Sequence, residues 1–198
     1  MRKLTVMLSL VPASEQDLPF LSELAAHPAV EPFLAFGAAE EERLRGALHA
    51  LGPAADSTAL LKIESDAGET LGALALWLIN SRSRICDISR VMVRPDRRRS
   101  GVAATAIEIA CARALLDHGM HRVQTECYGD NHAAHRLFER VGFTREGIRR
   151  RAYWRRGGWL DGVMFGLLAE EFALEGPRRG AGRASVTPCV SSVPIPRK

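Results

Sequence analysis

The sequence predicts a mixed α/β domain of the α+β kind, and three observations lead to it. Between residues 58 and 93 three aliphatic, β-rich runs of strand length follow one another. Two stretches, 103–116 and 131–141, place apolar residues at helical spacing, with a strand-like run between them. Two longer β-rich runs then meet at Gly157-Gly158, a pair suited to the positive φ angles of a tight hairpin. Length and composition agree with one globular domain. A chain of 198 residues can bury a proper core, and 46% hydrophobic with 25% charged residues is neither a disordered nor a membrane-embedded balance.

In chain order, residues 4–11 alternate loosely and predict a first strand. Ser14 with Asp17 has the form of a capping box and opens a helix expected through about Ala26, after which Pro28 and Pro32 break it. A second helix is expected over residues 40–51, with Leu44, Ala47, Leu48 and Leu51 on one face and Gly52-Pro53 as its stop. Strands follow at 58–64, 71–79 and 85–93, the first two joined at Asp66-Ala67-Gly68. The helix over 103–116 carries Ala103, Ile107, Ala110, Cys111, Ala114 and Leu115 on one face and stops at Gly119. After a strand at 122–127, Asp130 or Asn131 caps a helix whose stripe is Ala134, Leu137, Phe138 and Val141 and whose end is Gly142. Strands at 146–155 and 159–168 close the domain. Residues 177–198, rich in Arg, Gly, Ser and Pro without periodicity, are expected to be a disordered tail, so that 1–176 is the folded unit.

Several function classes drop out on composition. Cys86, Cys111, Cys127 and Cys189 are scattered, with no CxxC pair and no spacing for zinc, so neither a metal nor a disulfide framework is expected. No apolar run approaches the 18 or more residues of a spanning helix, and the run after Met1-Arg2-Lys3 is short for a secretory signal. The expectation is a cytoplasmic protein without a membrane partner. The net charge is +4 and lysine occurs only at Lys3, Lys62 and Lys198, so the positive charge is almost all arginine. An excess of this size suits an anionic ligand but does not make nucleic acid an expected partner.

The chemistry concentrates in Val91 and the thirteen residues after it, where a strand runs through Arg94-Pro95-Asp96-Arg97-Arg98-Arg99-Ser100-Gly101 into a helix. The first turn of a helix offers unpaired N–H groups and the positive end of its dipole. Gly101 and Ala103 are small enough to let a diphosphate approach them, and the arginines add charge-assisted contacts. A solvated basic loop is the ordinary alternative for a lone glycine turn. Here the turn sits between an apolar strand and an amphipathic helix, and it has neither the GKS/T ending of a nucleotide-triphosphate loop nor the three glycines of a dinucleotide fold.

Arg98-x-x-Gly101-x-Ala103 resembles the acyl-CoA pyrophosphate signature of the GNAT superfamily of N-acetyltransferases. Asn131-x-x-Ala134-x-Arg136-Leu137-Phe138-Glu139-Arg140-Val141-Gly142-Phe143 resembles that family's asparagine helix with its terminal Gly-Phe. Trp159-x-Asp161-x-x-x-Phe165-Gly166-Leu167-Leu168 is similar to the branch holding ribosomal-protein N-terminal acetyltransferases and polyamine acetyltransferases. The resemblance spans about residues 4–172 and implies a mixed, mostly antiparallel central sheet flanked by helices. It implies acetyl-CoA as cosubstrate, no metal, and an amine acceptor, either a small molecule or a peptide N-terminus. The main chain of Met92 and Val93 would meet the pantetheine arm and polarise the thioester carbonyl. Arg98, Arg99, Ser100, Gly101, Val102, Ala103 and Ala104 would hold the pyrophosphate. Asn131 would bond the pantetheine chain, cap its helix, or do both. Phe138, counted with the cofactor-binding residues, stands where many relatives carry the tyrosine that protonates departing CoA, and Ala134 stands where many carry serine.

Transfer to nitrogen needs a neutral amine, and Asp87 and Glu126, on strands either side of the motif, are the candidate bases. Each is equally readable as a solvated strand carboxylate. His118, His121, His132 and His135 fit no metal spacing and read as surface residues, and Cys127 reads as a packing thiol, leaving direct attack by the amine in a ternary complex as the simpler mechanism. Arg145, Arg149, Arg150, Arg151, Arg155 and Arg156, with Tyr153 and Trp154 among them, would border the acceptor and select an acidic or peptide-like one, or form a solvated face. A peptide N-terminus is favoured over a polyamine because the rim is basic. A noncatalytic acyl-CoA sensor, and acetylation of a polyamine, amino acid or antibiotic, are the alternatives, with a monomer and a homodimer both open.

Overall fold

The computed structural model describes residues 7–34 and 58–175. The helix expected at 40–51 and the tail expected at 177–198 lie outside the described residues. The elements are β1 (Leu8–Pro12), α1 (Leu18–Ala26), β2 (Thr58–Ser65), β3 (Thr70–Asn80), β4 (Ile85–Val93), α2 (Val102–Ala112), β5 (Arg122–Tyr128), α3 (His132–Val141), β6 (Thr144–Arg155), β7 (Gly158–Leu168) and α4 (Ala169–Glu175). They form a seven-stranded sheet in the order β1-β2-β3-β4-β5-β7-β6. Every neighbouring pair is antiparallel except β4 and β5, which are parallel.

Strand alternation sends side chains to two cores. Ile63, Leu74, Ile88, Val123 and Phe165 face α2 and α3, meeting Ile107, Ala110 and Phe138. Leu60, Ala73, Ala75 and Met92 face the other way, against Leu18, Leu21 and Leu24 of α1. Gly72 lets β3 approach β4 closely, because a Cβ there would collide with the Met92 carbonyl oxygen.

Local departures from the expected boundaries have local causes. The Ser14–Asp17 box is made, with Ser14 N–H donating to Asp17 Oδ2 at 2.8 Å, but it opens a single 3₁₀ turn, and the α-helix begins only at Leu18 with Pro19 in its first turn. α2 ends as a π-type turn over Arg113–Asp117 before Gly119 at φ 62°. Asn131, not Asp130, caps α3, its Oδ1 accepting from Ala134 N–H at 3.1 Å. The closing hairpin turns one residue earlier than Gly157-Gly158 suggests: Arg155 pairs with Gly158, so the two loop residues are Arg156 (φ 51°) and Gly157 (φ 76°).

Candidate active site

The sheet opens at its parallel pair. β4 and β5 pair only at Ile85↔Arg122, Cys86↔Val123 and Asp87↔Gln124. Beyond that point β4 runs on to Val93 and β5 to Tyr128 without a ladder between them. A bulge in β4 accompanies the splay: Ser89 pairs with Ala75 and Met92 with Ala73, so Arg90 and Val91 oppose Leu74 alone, and Arg90 takes φ 48°. Arg94 N–H donates to Leu71 O across the β3 side at 2.9 Å. Alternation along the strand therefore turns the Val93 amide into the opening, while Met92, buried, keeps its carbonyl on Gly72.

Past β4 the chain makes a 3₁₀ turn at Pro95–Arg97, takes φ 59° at Arg99 and 94° at Gly101, and enters α2. No side chain caps this helix. Thr105 N–H donates to Gly101 O at 3.0 Å, so the amides of Val102, Ala103 and Ala104 before it have no carbonyl within the helix. A Cβ at Gly101 would touch nothing within 4 Å, so the space in front of these amides is open. Arg94 and Arg97 are spent on Glu69 and Asp96, and Ser100 Oγ donates to Arg97 O at 2.5 Å. Arg98 and Arg99 are exposed, Arg98 donating to Ala29 O at 2.8 Å.

Between the parted strands lies a cavity of about 150 Å³, with Ser89, Glu126, Tyr128, Asn131, Phe138 and Tyr153 among its walls. Asn131 thus caps α3 and faces the cavity at once. Phe138 is 3% exposed and closes the inner wall, its ring 5.4 Å from Phe143 and 5.8 Å from Phe165. It brings no hydroxyl.

The two candidate carboxylates lie on the same face of the sheet. Cys86, Ile88 and Val123 belong to the α2 core, so Asp87 and Glu126 point the other way. Asp87 stands at the apex of the splay, where burial first and the Glu126 carboxylate second push its pKa up to about 7. Glu126 lines the cavity. Its Oε2 accepts from Arg149 at 2.9 Å, its Oε1 is buried without a well-formed hydrogen bond, and it packs on Gly162, where a Cβ would collide with it. The Tyr153 hydroxyl stands against the same carboxylate, and burial, then Glu126, push its pKa up to about 12.

Several wall residues were not singled out by the sequence reading. Tyr128 packs edge-on to Tyr153 at 5.0 Å and carries the Arg155 guanidinium over its ring at 5.5 Å. Ser89 accepts from Trp77 Nε1 at 2.6 Å. Phe33 and Leu34 wall the cavity from the segment after α1. The spacing of Tyr128 at the end of an alternating strand was a usable signal, but Ser89, Phe33 and Leu34 have none. The histidines are not brought together into a site: His118, His121 and His132 are exposed, and His135 Nε2 lies 3.0 Å from Tyr128 O. Among the described residues no group of His, Cys, Asp and Glu has the arrangement to hold a metal. Burial pushes the Cys127 thiol up to about 12, which makes it a poor nucleophile.

Residues 20–143, which include the splayed parallel pair, the bulged strand and the uncapped helix start, match the acetyltransferase (GNAT) family model. The chain belongs to the acetyltransferase (GNAT) family. Among GNAT relatives, it is 34% identical over 77 residues to the SPbeta prophage-derived uncharacterized N-acetyltransferase YokL of Bacillus subtilis, covering 39% of this chain and 44% of that protein. It is 23% identical over 103 residues to the uncharacterized N-acetyltransferase YoaA of Bacillus subtilis, covering 52% and 58%. The chain thus spans about half the length of these relatives. Among solved structures, the spermidine N-acetyltransferase of Vibrio cholerae in complex with CoA and spermine superposes with a TM-score of 0.74 at 19% identity, over 84% of this chain and 98% of that one. That likeness shows the GNAT fold. Among the described residues no helix is long and apolar enough to cross a membrane.

Proposed function

We propose that the opening between β4 and β5 is an acyl-transfer site that moves the acetyl group of acetyl-CoA to a primary amine, either a small molecule or a peptide N-terminus of the kind acetylated by the ribosomal-protein branch. One observation carries the reading. A single gap in the sheet has an uncapped helix start suited to a diphosphate at one end and a coupled carboxylate pair on its far face.

The residues present fit the donor. The first-turn amides of α2, with Arg98 and Arg99, would hold the diphosphate, the Val93 amide faces where an acyl carbonyl would need a hydrogen bond, and Asn131 stands along the gap. The donor supplies an activated thioester and a thiol leaving group whose pKa of about 8.5 lets it depart as thiolate, so Phe138 need not act as an acid. Glu126 lines the cavity and meets the incoming amine, while Asp87 behind it binds a proton with an affinity matched to neutral pH. A carboxylate poised near 7 is suited to take the proton an ammonium must lose.

The test is release of free CoA from acetyl-CoA over a panel of amines, read beside calorimetric donor binding. Turnover with at least one amine is expected. Phe138, in place of a hydroxyl, favours a noncatalytic acyl-CoA sensor as the second reading; donor binding without turnover on any amine would select it.

A further inference from the structure

The acceptor side of the cavity carries a ready-made pair of opposite charges. Glu126 lines the cavity with its Oε1 buried against Gly162 and the Tyr153 hydroxyl beside the carboxylate, and it ties its outer oxygen, Oε2, to Arg149 at 2.9 Å. The Arg149 side chain is 56% exposed and that of Glu126 22% exposed, so the cation stands at the rim and the anion within. Water screens a rim pair of this kind, and its arginine is readily drawn to a second carboxylate. The neighbouring walls, Phe33, Leu34, Tyr128 and Tyr153, are apolar and aromatic. Glu126 is the one carboxylate among the described residues that line the cavity. A chain of several ammonium groups would find one anion there with a guanidinium beside it.

Building on the acetyl-transfer reading, we infer that the acceptor is a free α-amino acid, whose ammonium docks on Glu126 and whose carboxylate docks on Arg149. An α-amino acid holds its two charges a few ångströms apart, and laid head to tail on the Glu126–Arg149 pair it forms two opposed ion pairs, one of which has the bidentate geometry that guanidinium favours. Its carboxylate draws Arg149 away from Glu126 Oε2, which leaves that oxygen for the amine. Its side chain lies against Phe33, Leu34 and the tyrosines, which suits an apolar or aromatic residue. In the transfer the ammonium first gives one proton to the Asp87–Glu126 pair, the neutral amine nitrogen then forms the new bond to the acetyl carbon, the carbon–sulfur bond of the donor breaks, and the thiolate leaves with the electron pair and takes up the second N–H proton as free thiol. A peptide N-terminus and an amino-acid amide offer the ammonium but no carboxylate on the same α-carbon, and spermidine offers only cations.

The experiment compares L-phenylalanine and L-leucine with their amides, a pentapeptide and spermidine as acceptors, reading CoA release at fixed acetyl-CoA with the wild-type chain, Arg149→Gln and Arg149→Lys. The wild type should favour each amino acid over its amide in kcat/KM. Arg149→Gln should lower that ratio by about 10- to 100-fold, mainly through KM of the amino acid, and Arg149→Lys should restore part of it. Differences in amine basicity between acid and amide cancel when the variant is compared with the wild type. A ratio unmoved by Arg149→Gln, or better turnover of the amides, the peptide or spermidine, overturns the amino-acid assignment and leaves acetyl transfer standing. No turnover of any amine overturns the assignment and the acetyl-transfer reading together.

Discussion

Asp87 is ionised at neutral pH only against its surroundings, since burial and the Glu126 charge both favour its protonated form and push its pKa up to about 7. The folded state therefore holds a proton that the unfolded chain, with an ordinary carboxyl value of 3.8, releases. Stability from this group is full below about pH 4 and is lost as pH rises through about 7. Asp87→Asn should accordingly raise stability above pH 7 by roughly 1–3 kcal/mol relative to the wild type and have little effect near pH 4, as urea titrations at both pH values would show. Activity has the opposite sign: kcat/KM should climb with pH through an apparent pKa near 7, and the variant should lose that limb with most of its rate. A stabilised variant with an unchanged pH profile would remove Asp87 from the proton path. Both carboxylates were legible in the sequence as strand residues flanking the motif. Their coupling was not, because it depends on which strands become neighbours and on a shared face, facts that no local spacing contains.

At the scale of elements, α2 starts on a glycine that supplies no capping oxygen and leaves its first amides without an acceptor in the helix. Gly101→Glu puts a carboxylate before those amides. The added Cβ meets nothing within 4 Å, so the cost in stability comes from φ 94° and should be on the order of 1–2 kcal/mol, while donor affinity measured by calorimetry should fall at least tenfold. Equal affinity would place the donor elsewhere. α3 differs, for Asn131 spends its side chain on Ala134 N–H, and Asn131→Ala should cost about 1 kcal/mol in thermal stability besides weakening donor binding. These elements were legible because glycines, prolines and caps punctuate them. What escaped were the places where arginine takes the left-handed conformation. Arg90 at the β4 bulge, Arg99 before α2 and Arg156 in the hairpin have φ of 48°, 59° and 51°. A residue type that avoids this region gives no warning of it, and the hairpin turn was displaced by one residue for that reason.

For the molecule as a whole, the two ends of the splay are joined through one short segment after α1. Arg98, from the loop before α2, donates to Ala29 O at 2.8 Å. Arg155, at the end of β6, donates to Leu34 O at 2.7 Å and to Glu31 at 2.9 Å, while lying over Tyr128. The segment is thus held from the loop before α2 and from the hairpin, and its Phe33 and Leu34 wall the cavity. The Arg155 side chain is 14% exposed, so its charge is largely taken out of water and compensated by these bonds. Arg155→Met keeps most of the packing volume and removes the bonds, leaving the Leu34 carbonyl and the Glu31 carboxylate short of a donor. It should destabilise the fold by about 2–4 kcal/mol, lowering the melting temperature by several degrees. Hydrogen exchange should speed up selectively at the amides of Val30, Glu31, Phe33 and Leu34, with those of β5 and β7 little changed. Because that segment walls the cavity proposed to take the amine, KM for the amine should rise more than KM for acetyl-CoA. If exchange quickens evenly through the sheet and both KM values move together, Arg155 is a general strut of the fold and the segment is not the link between the two sides of the site.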